Sequence, residues 1–269
     1  MKSFALLALA LPLLAAAKDP AGAHAGKTEV TWMGHAAFLV KTPQGTVVAI
    51  DPWFTNPSNP DKESVQKVGH LDFILVSHGH FDHVGDAVAL GQKTGAKLVS
   101  TFDLGKVLVA AGYPKEQATM ATAGNVGGTI DLTPDLSVTI VPAVHSSTFQ
   151  KDANSPLETA GTPAGFVLHI RGGPTLYHTG DTALTEDMKL VGERYPIDVM
   201  FACIGGHFTM DPVDAATAVR LVRAKAVVPM HFGTFPLLRG TPAQLEAALQ
   251  KQGSKAKVIA MKPGETRSF

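Results

Sequence analysis

A single cysteine, Cys203, stands among 269 residues, so no internal disulfide framework and no thiolate zinc knuckle is available. Charge is scarce as well. Charged residues make up 17% of the chain, and 23 basic side chains balance 23 acidic ones. That balance leaves no general electrostatic footprint for nucleic acid or anionic lipid, and no nucleic-acid partner is expected. Beyond the first seventeen residues no apolar run approaches the ~20 residues of a membrane-spanning helix. What is plentiful is apolar side chain, at 45% of the residues. That content is enough for a sizeable core and excludes a disordered chain. Histidine is also abundant: eleven are present, and His78, His80 and His83 fall within one short segment.

The chain begins with Lys2 and an unbroken apolar run, Phe4 to Ala17, that ends in Ala15-Ala16-Ala17 before Lys18. This is the layout of a secretory signal peptide, residues 1–17, rather than of an N-terminal core helix. A second small-x-small site lies at Ala23-His24-Ala25. Residues 18–27 read as a linker and 28–269 as one domain. The expectation is an exported protein, periplasmic or secreted, with no membrane span once the leader is removed.

Strands and helices alternate through the domain. Phe73–Val76 is a continuous apolar run, the mark of a strand buried on both faces. Strands are expected also at 29–33, 36–41, 46–50, 97–100, 129–132, 136–141, 166–170, 175–177, 198–204, 226–228 and 258–261. Helices are expected near 84–93, 101–111 and 184–194. Asp211 followed by Pro212 predicts a helix start, and Thr241-Pro242-Ala243-Gln244 is a capping-box signature. Phe149–Gly165 reads as a long loop. The pattern is that of a layered α/β domain.

The chemistry centres on His78-Gly79-His80-Phe81-Asp82-His83, which follows a buried strand and precedes a helix. Side chains two apart in an extended turn point the same way, so His78 and His80 can grip one ion. Asp82 and His83 can reach a second. Gly79 is expected to permit a tight bend. Further donors stand just past other strands: His145, Asp181 and His231. Only a fold can bring them together.

These segments resemble the metallo-β-lactamase superfamily. More specifically, Gly34-His35-Ala36-Ala37-Phe38, Ile50-Asp51-Pro52, His145-Ser146-Ser147, Pro163-Ala164-Gly165-Phe166, His178-Thr179-Gly180-Asp181-Thr182, Gly205-Gly206-His207-Phe208-Thr209-Met210 and Pro229-Met230-His231 are similar to its metal-dependent hydrolases related to L-ascorbate-6-phosphate lactonases. The resemblance implies a four-layer αββα sandwich with a dinuclear site between the sheets. His78, His80 and His145 would hold the first ion, Asp82, His83 and His231 the second, with Asp181 bridging. Asp51 would support the ligand loop. Two divalent ions are implied, zinc first, with manganese or iron open. The implied activity is hydrolysis of an ester, lactone or phosphodiester bond in a small-molecule substrate by a hydroxide bridging the ions. Asp82 would also steer the nucleophile. The alternatives are a phosphodiesterase or phospholipase-type hydrolase and a catalytically silent metal-binding module. A bridging aspartate at Asp181 separates the chain from the true β-lactamases.

Weaker signals remain. His207 either donates to a substrate or leaving-group oxygen or merely supports its loop. His35 either faces the pocket or makes a structural hydrogen bond. His178 reads as a support. Phe208, Met210, Phe232 and Phe235 form either an apolar substrate wall or core. Cys203 reads as an inert buried thiol. The leader gives the first testable outcome: protein from an exporting host should begin at Lys18, by mass of its N-terminal peptide. An intact Met1 on soluble cytoplasmic protein would refute export.

Overall fold

Two seven-stranded sheets carry almost every strand among the described residues. The computed structural model describes residues 27–152 and 154–269; the expected leader and residues 18–26 of the linker lie outside the described residues. The first half of the chain builds β1 (Glu29–Gly34), β2 (Ala37–Lys41), β3 (Val47–Ile50), β4 (Phe73–Leu75), β5 (Lys97–Thr101) and β6 (Ala123–Gly124), with helices α1 (Ser64–Lys67), α2 (Phe81–Val84), α3 (Ala87–Thr94) and α4 (Phe102–Ala111). The second half builds β7 (Thr129–Thr133), β8 (Leu136–Pro142), β9 (Thr148–Phe149), β10 (Glu158–Thr159), β11 (Ala164–Ile170), β12 (Thr175–His178), β13 (Val199–Cys203), β14 (Ala226–Met230) and β15 (Lys257–Val258), with α5 (Asp187–Arg194), α6 (Pro212–Val222) and α7 (Pro242–Lys251). A last strand, β16 (Thr266–Ser268), returns to the first sheet and pairs with β1.

The first sheet runs β16-β1-β2-β3-β4-β5-β6 and the second β15-β14-β13-β12-β11-β8-β7. Each is antiparallel at one end and parallel at the other, because tight hairpins link β1 to β3 while helices cross between β3, β4 and β5. The period-two alternation of strand side chains divides the core. Val48, Ile50, Phe73 and Leu75 face the second sheet, whereas Ala49 and Ile74 face Leu90, Leu104 and Leu108 of the helices outside. Phe38 of β2 stacks on Phe201 of β13 across the gap, with ring centroids 4.5 Å apart. On the far side, Ala215, Ala218, Val219 and Val222 of α6 lie buried in the same core as the second sheet. The result is the αββα order of layers.

Strand direction places the chemistry. β1, β3 and β4 run the same way, and so do β8, β12, β13 and β14. Their carboxyl ends lead into His35, Asp51, His78, His145, Asp181, the 205–210 loop and His231 respectively, at the edge where ligands of open α/β sheets gather. Backbone bonds knit the two edges together: Ala164 N–H donates to Ser77 O at 3.1 Å and His231 N–H to His35 O at 3.0 Å.

Several expectations shift in detail. The 84–93 helix is two pieces, α2 and α3, broken at Gly85, whose φ is 37°. The 149–165 stretch is not all loop: β9 and β10 pair within it. The terminal strand at 258–261 is the two-residue β15, and α1, β6 and β16 are additional elements. Asp211 caps α6 by accepting from Val213 N and Asp214 N, and Thr241 and Gln244 form the capping box of α7.

Cys203 is fully buried in β13, and burial, reinforced by the charge of Asp181, pushes its thiol up to about 11. Native protein should therefore resist alkylation by iodoacetamide at pH 8, and label only when unfolded. Stoichiometric labelling of folded protein would contradict this burial.

Candidate metal centre

The site is built on a buried carboxylate. Asp51 is fully inaccessible, and it follows β3 in a left-handed conformation with φ 44°. Its Oδ1 accepts from Ser77 N at 2.7 Å; its Oδ2 accepts from Ser77 Oγ at 2.7 Å and lies 2.8 Å from His83 Nδ1. A carboxylate can only accept here, so His83 keeps a proton on Nδ1 and turns Nε2 towards the cluster. The same logic reaches His78. Ser77 has given its hydroxyl proton to Asp51, so its oxygen accepts from His78 Nδ1 at 2.9 Å, and His78 Nε2 is free.

Those freed nitrogens converge. His78 Nε2 lies 3.0 Å from His80 Nδ1, and His78, His80 and His145 form one group whose donor atoms all lie within 4.8 Å. His83 Nε2 lies 3.3 Å from Asp181 Oδ1, His231 Nε2 3.0 Å from Asp181 Oδ2, and His145 Nε2 3.6 Å from the same oxygen. Asp82 Oδ2 is 3.7 Å from His231 Nε2. All seven residues singled out in the sequence as ligands thus meet in one cluster, with Asp181 touching both halves.

The hydrogen-bond inventory tests whether a cation fits. His83 Nε2, Asp181 Oδ1 and both ring nitrogens of His231 are buried without a hydrogen-bond partner. Buried polar atoms are almost always satisfied, so four orphans in one place need an explanation. Acceptors facing each other at 3.3 Å repel unless a proton or a cation sits between them. The imidazole and carboxylate donors suit zinc, manganese or iron. The residues fit such ions.

His35 belongs to the site as well. It is fully buried, and its Nε2 lies 3.0 Å from Asp82 Oδ2 and its Nδ1 2.9 Å from Thr234 Oγ1. Burial first, then the neighbouring His231 charge, pull its pKa down to about 4. Neutral His35 therefore donates from Nε2 to the carboxylate and accepts from Thr234. Asp82, although burial opposes ionisation, is held well below the usual carboxylate range by His231 and His35. Spacing along the chain offered no sign of this pair, because Asp82 and Thr234 are far from His35 in sequence. The one signal was Gly34-His35 standing at a strand end, like the other candidate donors.

The remaining candidates separate. His178 supports the fold: its Nε2 donates to Ala36 O at 3.0 Å and its Nδ1 accepts from Gly180 N at 3.1 Å. His207 is exposed on the 205–210 loop, its ring edge-on to Phe208 at 4.4 Å, beside a cleft of about 580 Å³ shared with Asp211, Leu237 and Arg239. Met210 is buried core, and Phe232 stacks on Trp32 at 5.5 Å. Phe208 and Phe235 remain at the surface or close to it. Gly79 does not supply a left-handed bend. It supplies space, since a Cβ there would strike Ala160 and approach Thr148 O at 2.9 Å.

A four-layer αββα sandwich with this histidine and aspartate cluster at its open edge is the architecture of a metallo-β-lactamase-fold hydrolase. A beta-lactamase superfamily domain matches residues 29–231. A UPF0173 metal-dependent hydrolase from Anaeromyxobacter sp. (strain K) is 61% identical over 245 residues, 91% of this chain and 88% of the relative. Another, from Thermodesulfovibrio yellowstonii, is 46% identical over 267 residues, 98% of this chain and 97% of the relative. Igni18, a metallo hydrolase from the archaeon Ignicoccus hospitalis, superposes with a TM-score of 0.77 at 35% identity, over 90% of this chain and 98% of that one. The chain belongs to the UPF0173 metal-dependent hydrolases of the metallo-β-lactamase superfamily.

Protons and metal ions compete for the cluster. Burial works against charge on His231, but Asp181 outweighs it and raises its pKa to about 9; Asp181 and Asp51 raise His83 in the same direction. His231 therefore holds a second ring proton near pH 7 in metal-free protein, His83 is pushed the same way, and binding of an ion there must expel such protons. Metal loading at pH 7 should release about one to two protons per chain, and affinity should climb as pH rises towards about 9. Calorimetry in buffers of different ionisation enthalpy measures the release. Uptake without protons would show that the rings are neutral beforehand.

Proposed function

We propose that the protein is a dinuclear metal-dependent hydrolase that cleaves an ester bond of a small substrate, a lactone or other cyclic ester first, and that it works outside the cytoplasm after loss of residues 1–17. The observation that carries the dinuclear part is the buried Asp181 carboxylate within reach of both donor groups, its Oδ1 and the facing His83 and His231 nitrogens left without hydrogen-bond partners. His78, His80 and His145 would hold one ion and Asp82, His83 and His231 the other, with zinc the first choice. When bound, the ions acidify a water and polarise the oxygen under attack.

The chain's own groups do the rest. Asp82 stays ionised and is gripped on Oδ2 by His35, so it can accept a hydrogen bond from the attacking water and fix its direction. Asp51 and Ser77 keep His78 and His83 in one tautomer each and remove the freedom to turn away. His207 is the proposed proton donor to the leaving oxygen. Its loop is tied to both neighbouring ligand loops: Met210 N–H donates to Thr182 O at 3.0 Å, and Gly205 packs so closely on His231 O that no side chain would fit.

Natively purified protein should contain about two ions per chain, since seven ligands exceed what one tetrahedral ion takes. His80→Ala and Asp82→Ala should abolish hydrolysis while the far-ultraviolet dichroism stays native. His207→Ala should keep the metal and lower kcat by roughly 10²–10³-fold, the scale of one lost proton carrier or oxyanion donor. The assay panel is a set of lactones with bis-nitrophenyl phosphate, the latter reporting a phosphodiesterase. Metal content near zero after incubation with zinc or manganese would end the dinuclear reading.

A further inference from the structure

Phe81 stands between two ligand positions, His80 and Asp82, and opens α2. Its side chain is 66% exposed. One exposed apolar residue is ordinary and carries nothing by itself. This one is not isolated. Its ring meets Trp53 edge-on at 5.6 Å and Phe235 at 6.4 Å, and Trp53 stacks on Phe235 at 6.0 Å with planes 22° apart. The three come from different segments: Trp53 lies two residues past Asp51, and Phe235 four past His231. His35, which donates to Asp82, backs the group, its ring 5.3 Å from Trp53 and 5.9 Å from Phe235. The rings therefore touch the ligand network on one side and open to solvent on the other.

The shelf is held in place. A Cβ on Gly85, at the end of α2, would lie 2.5 Å from Trp53 Cα, so the two backbones are pressed together. Thr55 N–H and its hydroxyl both bond to Asp86, tying the Trp53 loop to the start of α3. No cation or ion pair is recorded over these three rings among the described residues; the two cation–ring contacts found there lie at Phe102 and Tyr195.

We propose that Trp53, Phe81 and Phe235 form the subsite for an uncharged alkyl or aryl group of the substrate, whose scissile bond then lies at the adjoining metal centre. This rests on the hydrolytic reading above and narrows it: the substrate is an ester or lactone with an apolar arm. Flat rings at fixed spacing take an apolar chain without reorganising, which is the economy of a preformed pocket wall.

The test separates the subsite from the chemistry. Straight-chain hydroxamates, acetyl through octanoyl, chelate metal through one end whatever the reaction may be. Calorimetry on zinc-loaded protein should show affinity rising about twofold to fourfold per added methylene, the range for partial to full burial of a CH₂ group. Phe81→Ala and Phe235→Ala should flatten that slope towards one while retaining the metal. Leu190→Ala, which removes an exposed apolar residue on α5, should keep the slope. kcat/KM for γ-lactones of growing side chain should follow the same trend. Affinity independent of chain length in the unaltered protein, or an unchanged slope in both phenylalanine variants, overturns the subsite. So does failure of the octanoyl member to bind at millimolar concentration, since the shelf should bring it into range. Chain-length-dependent binding with no lactone cleaved overturns the choice of lactone substrate alone.

Discussion

The Asp51 carboxylate is the constraint on which the site depends. A buried anion must be hydrogen-bonded, and the three donors it finds are Ser77 N, Ser77 Oγ and His83 Nδ1. Each bond settles a proton elsewhere. The serine hydroxyl, once committed, forces His78 to donate from Nδ1, and the imidazole of His83 has no choice of tautomer. Two imidazole nitrogens are thus aimed into the cluster by the fold itself. Asp51 can do this only because it takes a left-handed backbone at the end of β3, where the chain leaves the sheet and passes beneath the histidine loop. Asp rather than a bulkier residue fits that conformation, since its short side chain tolerates it.

The charge balance of the cluster follows. Asp51, Asp82 and Asp181 bring three carboxylates into a region where Asp51 and Asp181 are nearly or fully buried. Hydrogen bonds account for Asp51 completely and for one oxygen of Asp82. Asp181 has no comparable donors, and its oxygens face imidazole nitrogens instead. The chain stabilises two of its anions internally and leaves the third to something positive. Protons on His83 and His231 are one answer and divalent cations the other, which is why the two must exclude each other.

Much of this was legible in the sequence because metal binding restricts residue type so sharply. Histidines and aspartates just past apolar strands are few, and strand direction gathers them at one edge. The layered αββα order was legible through the family resemblance and the alternating elements. Other features left no trace. β16 is three exposed residues, Thr266–Ser268, with no apolar alternation; it exists because β1 needs an edge partner. The break between α2 and α3 arises where Gly85 meets Trp53, a contact between segments more than thirty residues apart. His35 carried the right residue type, but its role depends on Asp82 and Thr234, which only the folded chain supplies. The aromatic group is similar, since Phe235 was legible as part of a wall while Trp53 and Phe81 were not.

β16 has a consequence for the order of events during synthesis. It pairs with β1, and beyond the strands Thr28 and Phe269 exchange two backbone hydrogen bonds, so the first and last described segments close on each other. His35 follows β1 and His231 lies near the far end of the ligand set. A nascent chain emerging from its amino end therefore carries an open β1 edge, and an incomplete histidine and aspartate cluster, through most of its elongation. Neither closes by local contacts. The cluster of histidines and aspartates is therefore complete only when β14 and the turn to His231 are in place, and the β1 edge closes later still.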